Sequence, residues 1–184
     1  MSIPRSYQGP IRLLLLDVDG VLTDGSLLLS SRGEDIKRFN VRDGLAVALL
    51  RAHQIQTGIL SGKSSGALDF RIQQLGIELA VTGKLEKLSG LEHILERADL
   101  SAESVAYVGD DVVDLPLAGR VGAFYAPSDA HPLVVEKADY VLRSAGGHGA
   151  AREAAEHLLS LNGLSMDEIY APLIGQWEEN HAAQ

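Results

Sequence analysis

The stretch Ile11-Arg12-Leu13-Leu14-Leu15-Leu16-Asp17-Val18-Asp19-Gly20-Val21-Leu22-Thr23-Asp24-Gly25 decides how the rest of the chain is read. Its apolar half is short and unalternating, the pattern of a strand buried on both faces of a parallel sheet. It is far too short to span a bilayer. The run ends in two acids at i and i+2, whose side chains can face the same crevice. Such a pair at a buried strand's exit is costly unless a cation or hydrogen bonds hold it. Gly20 allows a sharp turn just beyond.

Outward from this strand, apolar runs follow at Ile55–Leu60, Ile77–Val81, Val105–Val108 and Val121–Tyr125, with a weaker one at Asp139–Leu142. Between them, Gly44–Ala52, Ser64–Leu75, Leu85–Ala98 and Ala150–Leu161 carry apolar residues at helical spacing, for example Leu88, Leu91 and Leu95. This alternation predicts an α/β fold, a doubly wound parallel sheet. A chain of 184 residues suits one such domain with a full core. Residues 1–184 therefore read as a single domain. Ligands of such folds bind at the carboxyl ends of the strands, so function is sought in the polar residues there.

Composition narrows the classes. Hydrophobic residues make up 46% and charged residues 22%, an ordinary balance for a soluble globular chain. The absence of cysteine excludes disulfides, thiolate metal sites and a cysteine nucleophile, and fits a reducing compartment. A formal net charge of −9 argues against a nucleic-acid surface, which needs clustered Lys and Arg. An acidic protein that handles phosphates must concentrate positive charge locally or borrow it from a metal. Met1–Pro10 carries no signal-peptide pattern, so the chain reads as cytoplasmic, with no membrane partner.

Residues 25–39 break the alternation. They read as an inserted β-hairpin, Ser26–Leu29 and Asp35–Phe39, around the turn Ser30-Ser31-Arg32-Gly33, where Gly33 supplies a positive φ. Leu27-Leu28-Leu29 is apolar on both faces, and an isolated hairpin is marginal in water. It is expected to pair with another subunit; folding back on its own domain is the alternative. Residues 164–180 read as a helical tail in which Ile169, Leu173, Ile174 and Trp177 share a face. That tail covers a neighbour's site or docks on its own domain. His53, His93, His131, His157 and His181 show no ligand spacing with the acids and read as surface or packing residues.

Four strand ends carry the candidate chemistry. Asp17 and Asp19 suit either a Mg²⁺ site or a nucleophile with its acid/base partner; a solvated turn is the bland alternative. Ser61-Gly62-Lys63 offers a hydroxyl, a bare amide and an ammonium to phosphate oxygens, and equally makes an ordinary turn and helix cap. Lys87 can pair with Asp17 and a phosphate, and Lys84 competes with it on spacing alone. Gly109-Asp110-Asp111-Val112-Val113-Asp114 places three acids at one exit, a cluster that repels itself without a cation.

In this order the residues resemble the haloacid-dehalogenase superfamily of phosphotransferases: DVDGVLTDG its first motif, Ser61 its second, Lys87 its third and GDDVVD its fourth. RFNVRDG at 38–44, GDDVVDLP at 109–116 and GGHGAARE at 146–153 are similar to one branch of it, the phosphatases of 3-deoxy-D-manno-octulosonate (KDO) 8-phosphate and their sialic-acid-type relatives. The resemblance implies a Rossmann-like fold with no cap domain, Mg²⁺ as cofactor and a homotetramer built through the 25–39 hairpin. It implies a phosphomonoester hydrolase acting on an acidic sugar phosphate, KDO 8-phosphate first and a nine-carbon sugar 9-phosphate second, in lipopolysaccharide precursor synthesis. Asp17 would be the nucleophile, Asp19 the acid/base, and Ser61 and Lys87 the phosphoryl-binding groups. Asp17, the Asp19 carbonyl and Asp110 would hold the metal, with Asp111 and Asp114 supporting. Gly62, Lys63 and Arg71 are the substrate-binding candidates. The chain departs from the family pattern at Lys63 and His148, where Arg and Arg or Lys are usual, and at RDGLA.

Other classes fit less well. A phospho-acceptor signalling domain would carry its acid after the third strand, where this chain has Thr82-Gly83. A dinucleotide-binding domain would open with GxGxxG, where this chain has DVDG.

Overall fold

The computed structural model describes residues 9–31 and 33–182, with only the backbone for 180–182. Its central sheet holds β1 (Leu13–Leu16), β4 (Gln56–Leu60), β5 (Leu79–Val81), β6 (Val105–Val108), β7 (Ala123–Ala126) and β8 (Tyr140–Val141). The order is β5-β4-β1-β6-β7-β8, and every pairing is parallel. Every residue of β1 is buried. Leu14 and Leu16 enter one core layer with α1 (Val41–Ala52), α5 (Ala150–Ser160) and Ile169 and Leu173 of α6 (Met166–Ala182). Leu13 and Leu15 enter the other with α3 (Lys87–Ala98) and α4 (Pro132–Lys137). Each fully buried leucine stabilises by roughly 1.5–3 kcal/mol, which explains why an unalternating run sits at the centre.

The chain winds from β1 through β4 to β5 on one side, then returns to β6, β7 and β8 on the other. The direction of winding reverses between β1 and β6. A crevice opens at such a reversal, at the carboxyl ends of the strands. Asp17 and Asp110 leave from there.

The expected helices begin where their caps allow. Asn40 accepts from Arg42 N–H and starts α1 three residues before its periodicity. Ser65 caps α2 (Gly66–Leu75), and Gly76, at φ +62°, ends it. Glu86 caps α3, so Lys87 is its first residue. The short α4 was not expected, since its 6 residues are too few for periodicity; His131 as cap and Pro132 as first residue are its only signals.

The hairpin forms with shifted bounds, as β2 (Leu28–Ser30) antiparallel to β3 (Gly33–Ile36). Gly33 has φ +103°, the conformation the turn requires; Arg32 lies outside the described residues. Among the described residues no separate cap domain stands between β1 and α1. No described helix is long and apolar enough to cross a membrane. The tail docks on its own domain through Ile169 and Leu173 and leaves Ile174 and Trp177 exposed. Of the histidines, His53 packs with Nε2 2.8 Å from Ile169 O, and His157 Nδ1 meets the Tyr125 hydroxyl at 3.1 Å; the His181 side chain is not among the described groups.

Candidate active site

Lys87 organises the crevice. A lysine at the first position of a helix opposes the macrodipole, and burying its ammonium is costly without partners. Lys87 is nevertheless fully buried. Its Nζ lies 2.9 Å from Asp17 Oδ2 and 3.0 Å from Asp114 Oδ1, and bonds Leu60 O at 2.9 Å and the Tyr107 hydroxyl at 3.1 Å. Lys84, its rival by spacing, is exposed, and its backbone N–H bonds Ser61 O.

Asp17 is buried, with Oδ1 accepting from Val18 N–H at 2.7 Å. Burial pushes its pKa up to about 6; the Asp114 charge adds to this and Lys87 opposes it. Asp114 is fully buried and both its oxygens are engaged. Oδ1 accepts from Lys87 and from Tyr107 at 2.6 Å, and Oδ2 from the N–H groups of Asp110 and Asp111. Tyr107 is pushed well above its ordinary pKa by burial and by the charges of Asp17 and Asp114. Asp111 is exposed and, with Asp114, forms a capping box on the 3₁₀ turn Val112–Leu117. Of the supporting pair, Asp111 orders the loop, its side chain turned back onto Val112 N–H, while Asp114 is the one that meets Lys87.

Asp110 is the least settled of the acids. Its Oδ1 is buried and without a hydrogen-bond partner. Its pKa rises to about 8, through burial first and then the charges of Asp17, Asp114 and Asp111. Oxygens of Asp17, Asp110 and Asp114 lie within 4.8 Å of one another. Since Asp114 is saturated by protein donors, Asp17 and Asp110 are the pair left to hold a cation. Hard carboxylate oxygens, one of them lacking a donor, suit Mg²⁺.

The loops behind the acids leave no room for side chains. A Cβ at Gly20 would lie 2.0 Å from Asp110 Oδ2, and one at Gly146 2.0 Å from Gly20 O. Gly147 N–H bonds Val21 O at 2.9 Å, so the GGHG segment braces the turn that follows Asp19. Asp43 holds that segment in turn, its Oδ1 accepting from Arg152 N–H near the start of α5.

The remaining candidates are placed unevenly. Ser61 is 1% exposed, and its Oγ accepts from Lys63 N–H at 3.3 Å. A Cβ on Gly62 would strike Leu85. Lys63 is exposed. Arg71 is engaged away from the acids, over the Phe39 ring and bonded to Gln74 and to Asn40 O. It shares a cavity of about 580 Å³ with Lys37 and Phe70. Asp19 lies outside the acid cluster, paired with Lys37, a residue that sequence reasoning missed. Lys37 has its pKa raised: burial would lower it, and hydrogen bonds to Asp19 and Glu34 outweigh that. His148 is exposed, its Nδ1 2.8 Å from Gly146 O. A larger groove of about 940 Å³ runs between β8 and α5 and contains none of these acids. Clustered buried carboxyl groups, one oxygen of which lacks a hydrogen-bond partner, mark the site, and volume does not.

The haloacid dehalogenase-like hydrolase model matches residues 34–122. The 3-deoxy-D-manno-octulosonate 8-phosphate phosphatase KdsC of Escherichia coli strain K12 is 44% identical over 158 residues, covering 86% of this chain and 84% of the relative. Among solved structures, the cobalt-bound deoxy-D-mannose-octulosonate 8-phosphate phosphatase of Haemophilus influenzae aligns with TM-score 0.81 at 44% identity, over 84% of this chain and 90% of that one. The 3-deoxy-D-manno-octulosonate 8-phosphate phosphatase of Moraxella catarrhalis, in complex with magnesium, phosphate and KDO, aligns with TM-score 0.78 at 33% identity, over 82% and 87%. With this much of its length matched, the chain belongs to the haloacid dehalogenase-like hydrolases and, within them, to the family of the 3-deoxy-D-manno-octulosonate 8-phosphate phosphatases.

Proposed function

We propose that the protein hydrolyses the phosphomonoester of KDO 8-phosphate in a Mg²⁺-dependent reaction that passes through an aspartyl-phosphate. The observation that carries this reading is the buried set of Asp17 on Lys87 beside Asp110, whose Oδ1 has no protein donor. Asp17, the Asp19 carbonyl and Asp110 would hold the metal. When bound, Mg²⁺ supplies positive charge between two anions that otherwise repel, the nucleophile and the phosphate.

The chain's own residues do the rest. An Asp17 oxygen attacks phosphorus while the bond to the sugar oxygen breaks, and Asp19 gives that oxygen a proton. Water then attacks phosphorus, Asp19 takes its proton, and the bond to Asp17 breaks to release phosphate. Lys87 neutralises charge on Asp17 and on the phosphoryl oxygens, and Ser61 with the neighbouring amides holds those oxygens. Asp114 and Tyr107 keep Lys87 in place. Lys63 and Arg71 are assigned to the sugar's carboxylate.

We assign the active form to a homotetramer assembled through the hairpin. Leu29 is 69% exposed and Ile36 61%, on a two-stranded element that is marginal alone. Light scattering should give a tetramer, and Leu29→Glu should dissociate it; a monomeric wild-type protein would refute the assignment. The cysteine-free composition fits a reducing compartment, and we assign the enzyme to the cytoplasm.

The test of function is phosphate release from a panel of sugar phosphates with and without Mg²⁺. Metal-dependent release strongly favouring KDO 8-phosphate is expected. Preference for a nine-carbon sugar 9-phosphate would keep the hydrolase and change its substrate. No release from any of them would overturn the reading.

A further inference from the structure

Lys37 follows β3 directly, and its side chain is only 1% exposed. A buried ammonium needs partners, and two carboxylates supply them. Asp19 Oδ1 lies 2.5 Å from Nζ, and Glu34 Oε1, three residues back on the same hairpin, lies 2.7 Å away. The next residue, Arg38, pairs with Asp24. Two successive cations of the hairpin thus grip the loop after β1 at two points, Asp19 and Asp24. The Asp24 end is further fixed by Ser26 N–H on its Oδ1.

Asp17 and Asp114 are oriented by Lys87, whereas Asp19 is held by Lys37 of the hairpin. A group that must serve a sugar oxygen and then a water has to stay within hydrogen-bond reach of both, and small misplacements are expensive. Lys37, braced by Glu34, gives the Asp19 carboxylate one direction.

We propose that Lys37 is a positioning residue of the reaction: the hairpin, through Lys37 and Glu34, fixes the direction of the Asp19 carboxylate. The inference rests on Asp19 being the proton carrier. It makes the hairpin part of the machinery that aims that carrier, and not merely a surface for assembly.

The test compares Lys37→Met, Lys37→Arg, Asp19→Asn and the double variant Lys37→Met/Asp19→Asn, each checked for wild-type size and thermal midpoint. Lys37→Met should lower kcat on KDO 8-phosphate by about 10- to 100-fold, a part of what proton transfer contributes, with KM changed less than about threefold. Lys37→Arg should recover part of the loss. In the Asp19→Asn background the Lys37 substitution should cost almost nothing further, since residues acting as one unit are not additive. Wild-type kcat in a folded Lys37→Met protein, a change confined to KM, or full multiplication of the two losses would each overturn the proposal. An inactive Asp19→Asn beside a normal Lys37→Met defeats the positioning role alone, whereas an active Asp19→Asn defeats the acid/base reading beneath it. Should Lys37→Met fail to fold, Glu34→Gln carries the test: it removes the brace and should lower kcat severalfold, and an unchanged kcat overturns the proposal.

Discussion

Binding of Mg²⁺ should release close to one proton at pH 7. Without metal, Asp17 titrates at about 6 and Asp110 at about 8, both raised chiefly by burial. At pH 7 Asp110 therefore holds about 0.9 proton and Asp17 about 0.1, and a cation that requires both carboxylates ionised displaces their sum. The same two values give about 1.5 protons at pH 6 and about 0.5 at pH 8, so the apparent affinity should rise roughly 100-fold between those pH values, about 2.7 kcal/mol. Isothermal titration in buffers of different ionisation enthalpy measures the proton count directly. Asp110→Asn should reduce release at pH 7 from about one proton to about 0.1, leaving only the Asp17 fraction. Release near zero in the wild-type protein, with an affinity constant from pH 6 to 8, would falsify the argument; it would mean that Lys87 outweighs burial and holds both acids ionised before the metal arrives.

The same shifts predict the stability of the metal-free protein. A carboxyl raised in the folded state favours folding below its unfolded value of 3.8, and that contribution is lost as pH climbs through about 6 and then about 8. The thermal midpoint without Mg²⁺ should fall by several degrees from pH 5 to pH 8, and saturating Mg²⁺ should restore it most at the alkaline end; a midpoint that rises over this range would contradict the burial of both acids. Tyr107→Phe removes the donor of the 2.6 Å bond to Asp114 and a partner of Lys87. A hydrogen bond to a charged group is worth about 1.5–3 kcal/mol, so steady-state assays should show kcat lower by about tenfold or more with KM little changed. Gly146→Ala would set a methyl 2.0 Å from Gly20 O, a backbone atom with no rotamer to escape through. Thermal denaturation should show a loss of several degrees, and activity should fall with it as the Asp19–Gly20 turn shifts.

The central layer was legible because burial on both faces writes itself into composition. Leu13–Leu16 and Val105–Val108 are apolar throughout, and both are strands. Asp17 and Asp110 were legible because acids at the exits of buried strands are costly without a reason, and those strands, β1 and β6, are neighbours; Lys87 was legible only with the order of the motifs, since spacing alone left Lys84 in competition. Lys37 was not. One lysine beside Glu34, Asp35 and Arg38 looks solvated until the fold brings it to an acid 18 residues back. Tyr107 sat inside an apolar run, where its hydroxyl carried no pattern, yet that hydroxyl links Lys87 to Asp114. Arg71 was legible only by its charge. The contacts that hold its guanidinium, with the Phe39 ring and the Asn40 carbonyl, join α2 to the end of the hairpin, and no helical spacing encodes them.

A balance of charge explains why these residues occur together. With Asp17, Asp110 and Asp114 ionised and Lys87 protonated, three negative charges meet one positive, and the cluster carries −2 within a few ångströms. A second lysine would reduce this by one, but it would also compete for Asp17, the proposed nucleophile. Asp114 cannot give way, because its oxygens already hold Lys87, Tyr107 and two backbone N–H groups. The metal-free protein lowers the imbalance in the way still open to it, by keeping a proton on Asp110, whose carboxyl rises to about 8 through burial first and then through the charges of Asp17 and Asp114. A divalent cation cancels the remaining −2 in full, whereas a monovalent ion of similar size leaves half of it. A phosphate dianion can then approach a nucleophile whose surroundings no longer repel it. The preference for a divalent metal and the proton expected to leave on binding it are two consequences of the same buried imbalance.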